Sequence, residues 1–101
     1  MGLPVVDVFI AKATVVVWAY AYNDSDALID PTAIMVTIKD PEGDKVVDGE
    51  AMTQKKTGVY YYYYRTAEDA AKGIYTGEVL VTDGVGELAI NTPVAFSFKI
   101  K

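Results

Sequence analysis

Turn-forming clusters punctuate this chain at short, regular spacing: YNDSD (22–26), DPEGD (40–44), DGE (48–50), KTG (56–58), AEDAAKG (67–73), TDGVG (82–86) and NTP (91–93). Glycine turns a chain through positive φ, proline through its fixed φ, and Asn and Asp through side-chain hydrogen bonds to the local backbone. Short runs of β-branched and aromatic residues fill the intervals, and they suit a pleated, half-buried surface. That alternation predicts an all-β sandwich.

The runs are read as follows. Residues 5–10 and 14–22 are dense in Val, Ile, Trp and Tyr. Residues 33–39 alternate, with Ile34, Val36 and Ile38 on one side. After DPEGD, where Pro41 presets a turn and Gly43 supplies positive φ, a hairpin arm is expected at about 45–48. Residues 52–56 read as a short edge strand whose Lys55 and Lys56 discourage edge-to-edge pairing. Residues 94–100 alternate, with Val94, Phe96, Phe98 and Ile100 facing one way. AEDAAK alone has helical character and is too short to stand by itself. It is read as one helical turn near 67–72.

Five consecutive tyrosines, 60–64, place rings on both faces of one strand. The repeated GVY (58–60) and GIY (73–75) assign the faces. After Gly73, Thr76 and Glu78 belong in water, so Tyr75, Val79 and Val81 face the core. The same offset after Gly58 turns Tyr60, Tyr62 and Tyr64 inward and Val59, Tyr61, Tyr63 and Arg65 outward. The outer row is either an interface, where Tyr and Arg are enriched, or a solvated face of cross-strand tyrosine pairs. In residues 14–22 both rows are apolar; Trp18 is assigned to the core, and the small row of Val15 and Val17 to another chain or to a covered central strand.

Several functions are excluded by residue type. The chain of 101 residues fits one domain, 1–101, and has neither cysteine nor histidine. Disulfides, thiolate chemistry and the usual neutral-pH base are therefore absent. A net charge of −5 argues against a nucleic-acid face. The longest apolar run, ATVVVWAYAY, is too short to span a bilayer as a helix. Residues 1–10 lack a basic n-region and a small-residue cleavage site, so no secretory leader is read there. They form either a first strand or an interacting arm. Asn23, Asp24, Asp26 and Asp30 resemble a calcium loop poorly, lacking the EF-hand glycine and terminal glutamate. Lys12 and Asn91 are the pair to test for an isopeptide bond, though nothing in the sequence favours them. No enzyme, cofactor or metal is expected.

The segments IKDPEGDKVVDGEAM and TGVYYYYYRTAEDAAKGIYTGEVLVTD resemble immunoglobulin-like domains of the macroglobulin MG2 type and bacterial Ig-like modules over about residues 33–83. The resemblance implies an Ig-like antiparallel sandwich of about seven to nine strands. The Cys…Trp…Cys signature of antibody domains is missing. In style the chain also resembles small tailed-phage structural proteins. That implies a virion component, made in the host cytoplasm, that decorates a capsid or serves a neck or tail. It would bind a protein lattice, itself, or both, without nucleic acid or membrane. The expected interface residues are Val59, Tyr61, Tyr63, Arg65, Val15, Val17, Val5 and Phe9. A cell-surface or secreted Ig-like adhesion module is the alternative.

Overall fold

A computed structural model describes residues 4–11, 14–22, 25, 27–66, 70–84 and 90–101. Among them run eight strands: β1 (Val5–Ala11), β2 (Thr14–Tyr20), β3 (Ala33–Lys39), β4 (Lys45–Ala51), β5 (Thr53–Lys56), β6 (Val59–Arg65), β7 (Gly73–Asp83) and β8 (Ile90–Ile100). They form two sheets, β1-β2-β6-β5 and β4-β3-β7-β8, and every pairing is antiparallel. The two sheets pack face to face as a sandwich.

The core is the inner face of each sheet. Val15, Val17, Ala19, Tyr60, Tyr62 and Tyr64 come from the first; Ile34, Val36, Ile38, Tyr75, Val79, Val81 and Phe98 come from the second. Stacked sheets stand ~10 Å apart, so large rings on one strand need small neighbours beside them. Here Tyr60, Tyr62 and Tyr64 lie opposite Ala19, Val17 and Val15. In the second sheet Gly77 lies opposite Phe96, whose ring covers the space a Cβ would take; the closest ring atom is 2.1 Å from that position. No buried side-chain polar atom among the described residues lacks a hydrogen-bond partner.

Two connections set the geometry. At Met52 the chain leaves β4 and enters β5, crossing between sheets; Met52 is buried and its N–H donates to the Ile34 carbonyl at 3.1 Å. At the β5–β6 turn Gly58 adopts φ +72° close against Ala21, Leu28 and Ile29. The Ala21 N–H donates to its carbonyl at 2.8 Å, and its own N–H donates to Asp30 Oδ1 at 2.9 Å.

Some strand boundaries differ from expectation. Residues 48–50 are not a turn: β4 continues to Ala51, with Gly49 at φ +61° and irregular register against β3. A bulge lets a strand absorb a turn-forming glycine without ending. Residues 91–93 likewise lie inside β8, where Pro93 is tolerated because the strand is an edge. The described residues contain no helix; 67–69 of the expected helical turn lie outside them, and 70–72 are not helical.

Candidate interaction face

The two outer faces differ in chemistry. The second sheet presents Thr37, Lys39, Thr76, Glu78, Ser97 and Lys99 beside Met35, Ile74 and Leu80. That is close to the polar exterior expected of an antiparallel sandwich. The first sheet presents three cross-strand rows: Phe9–Val16–Tyr63, Asp7–Trp18–Tyr61 and Val5–Tyr20–Val59. All but Asp7 are apolar or aromatic.

Their rings touch. Trp18 and Tyr61 lie 5.5 Å apart between centroids at 49°, and Tyr61 and Tyr63 lie 5.1 Å apart at 43°. Such tilted contacts match the quadrupoles of aromatic rings and hold them in place before any partner arrives. Phe9 is 60% exposed and Tyr63 58%; Val16, Trp18, Tyr20 and Tyr61 are half-buried. Three seven-residue strands, at ~3.4 Å per residue and ~4.8 Å spacing, make a panel of roughly 24 by 14 Å. Apolar patches of a few hundred Å² are the kind that mark interaction sites.

Of the eight residues expected at an interface, Tyr61, Tyr63, Arg65, Val5 and Phe9 reach this surface. Val15 and Val17 do not: both are fully buried between the sheets. Trp18, expected in the core, lies on the outer face instead. The cause is register: Val17 pairs with Tyr62 and Trp18 with Tyr61, so an inward Tyr62 forces an outward Trp18. Val59 belongs to the outer row but is 4% exposed, flanked by Tyr20 and Lys56 on the neighbouring strands. Val16, Trp18 and Tyr20 therefore join the face in place of Val15, Val17 and Val59. Residues 5–10, left open as strand or arm, form β1 within the sheet.

Two of the described acidic groups, Asp30 and Asp40, hold the backbone in place. Asp40, Glu42 and Asp44 cluster in the β3–β4 turn, but Asp40 Oδ1 accepts the Glu42 and Asp44 N–H groups at 2.9 Å each, capping the turn. Asp30 Oδ1 accepts Gln54 Nε2 at 2.6 Å and Gly58 N–H. Asn23, Asp24 and Asp26, the rest of the poor calcium match, lie outside the described residues, as does Lys12. Asn91 Oδ1 accepts the Thr82 hydroxyl at 2.8 Å. Burial, then the nearby Asp30 carboxylate, raises the Tyr60 pKa. Burial, then Asp40, raises that of Tyr75.

No family model matches the chain, and no curated protein matches it. Near the start of β7 the Tyr75 hydroxyl donates to the backbone carbonyl of Ala71, four residues upstream.

Proposed function

We propose that this chain is a non-enzymatic interaction protein that binds a protein partner through the outer face of β1, β2 and β6. The observation that carries the reading is the asymmetry of the sandwich: one outer face mixes polar and charged residues with scattered apolar ones such as Ile74, while the other is paved with Phe9, Val16, Trp18, Tyr20, Tyr61 and Tyr63. Tyr and Trp give large contact area at low entropic cost, and rings already in contact lose less freedom on binding. The lack of histidine and cysteine supports a role without turnover. So does the use of Asp30 and Asp40 as backbone caps.

The partner we propose is a repeating protein lattice, the capsid or tail of a virion assembled in a host cytoplasm. The resemblance in style to small tailed-phage structural proteins supports that choice. On a lattice, many copies of a modest interface act together, so a panel smaller than the usual ~800 Å² per partner suffices. The test is co-sedimentation with capsids and tails assembled from the genes beside its own. Saturable binding at a fixed number of copies per particle is expected. Neighbouring genes that encode no particle, or particles that leave the protein in the supernatant, would overturn the lattice reading.

A further inference from the structure

Four strands end a sheet: β1, β5, β4 and β8. An edge strand exposes unpaired N–H and C=O groups, and proteins blunt such edges with short length, lysine, proline or bulges. Three of the four are blunted. β5 has four residues, two of them lysines, and an irregular register. β4 carries Lys45, Asp48 and Glu50, all exposed, and shifts register twice against β3. β8 contains Pro93 and Lys99. β1 carries one exposed charge, Asp7, and none of the other devices. It is seven residues long, VVDVFIA, pairs with β2 in unbroken register, and exposes Val5, Phe9 and Ile10.

We infer that β1 is an intermolecular pairing edge, and that its occupant is β1 of a second copy of this chain, antiparallel across a two-fold axis. The register follows from the residues. A two-fold perpendicular to the sheet keeps inner rows inner and outer rows outer, so it passes through a residue. Through Val8 it pairs all seven positions: Val5 with Ala11, Val6 with Ile10, Asp7 with Phe9, and Val8 with its own mate. Through Asp7 it would set two carboxylates directly opposite each other, which is unfavourable. The Val8 register also explains Ile10. That residue lies beside buried Val15 yet is 47% exposed, because the sheet stops there; the mate's Val6 covers it. The two first sheets become one eight-stranded sheet, and their aromatic faces become one continuous surface. The edge shares Phe9 with the face proposed above, but Tyr61 and Tyr63 belong to the face alone, so the two are tested separately.

The experiment is light scattering after size exclusion, over a concentration series, on the full chain and on variants. The wild type is expected at twice 11.0 kDa. Phe9→Asp, which sets a carboxylate directly opposite the mate's Asp7 at an exposed position, is expected at 11.0 kDa with an unchanged circular dichroism spectrum. Tyr61→Ser with Tyr63→Ser, on β6, is expected to remain dimeric. Because the chain has no cysteine, Val8→Cys reports the register: it is expected to form a covalent dimer under mild oxidation. Asp7→Cys and Phe9→Cys are each expected to cross-link only when mixed. A monomer at every concentration overturns the inference, as does a dimer that survives Phe9→Asp or dissociates in the Tyr61/Tyr63 variant. Efficient self-cross-linking of Asp7→Cys overturns the register.

Discussion

The Tyr75 hydroxyl donates a 2.7 Å hydrogen bond to the carbonyl of Ala71, four residues upstream. The ring of Tyr75 is buried and stacks on Phe98 at 5.2 Å, so the bond pins the entry to β7 onto the core. Tyr75→Phe keeps the ring and removes the donor. A loss of about 1 kcal/mol is expected, the usual net worth of one hydrogen bond. Urea unfolding would show it as a lower midpoint with unchanged slope.

Two glycines at positive φ provide a matched pair. At Gly43 nothing lies within 4 Å of an added Cβ; at Gly58 the Leu28 Cβ would lie at 2.8 Å and the Ile29 nitrogen at 2.9 Å. Gly43→Ala should cost about 1 kcal/mol, the left-handed strain alone. Gly58→Ala adds a clash with backbone that cannot move without breaking the Ala21–Gly58 hydrogen bond. It should cost more than ~3 kcal/mol, within the range of strain and overpacking combined.

Alkaline pH should destabilise the protein. Burial is the largest cause raising Tyr60, Tyr62, Tyr64 and Tyr75 above the ordinary tyrosine value of 10.0; nearby Asp30, Glu50 and Asp40 add to it, as do neighbouring tyrosines at Tyr64. Below that value both folded and unfolded states hold the phenolic protons, and the contribution is fully present. Above it the unfolded chain releases protons that the folded chain retains, so stability falls as pH rises through the raised values. Urea midpoints should stay level from about pH 7 to 9 with respect to these groups and drop above about pH 10. Tyr75→Phe should make the drop shallower.

The corrected placement of β2 predicts responses at adjacent residues that do not scale with side-chain size. Val17 is fully buried, so Val17→Ala should cost about 2 kcal/mol in lost burial and cavity. Trp18 lies on the outer face, and Trp18→Ala, which loses the ring contact with Tyr61 and the covered part of the indole, should cost about 2 kcal/mol as well, although it removes a far larger side chain. Were Trp18 in the core, its removal would cost about 3–5 kcal/mol.

That pair also shows how far the sequence is legible. In β6 the inward row is readable, because the GVY and GIY repeats share one offset and Thr76 and Glu78 mark the solvent side of the second. β2 offers no such marker: Val16, Trp18 and Tyr20 on one row and Val15, Val17 and Ala19 on the other are both apolar. Only its pairing with β6 decides between them, and that is a tertiary fact. β4 and β8 outran their predicted limits for a related reason. Gly49 and Pro93 are turn formers in isolation but are absorbed by a bulge and by an edge. The face was half visible, through Tyr61, Tyr63, Val5 and Phe9. Trp18 was hidden by the general tendency of tryptophan to bury.

The most direct test of the aromatic face is the double variant Tyr61→Ser with Tyr63→Ser, measured for particle binding and unfolding midpoint in the same preparation. Both rings lie outside the core, so the fold should persist with a modest loss of stability, while particle binding should fall to background. A variant that stays folded and binds as the wild type does would contradict the assignment of this face.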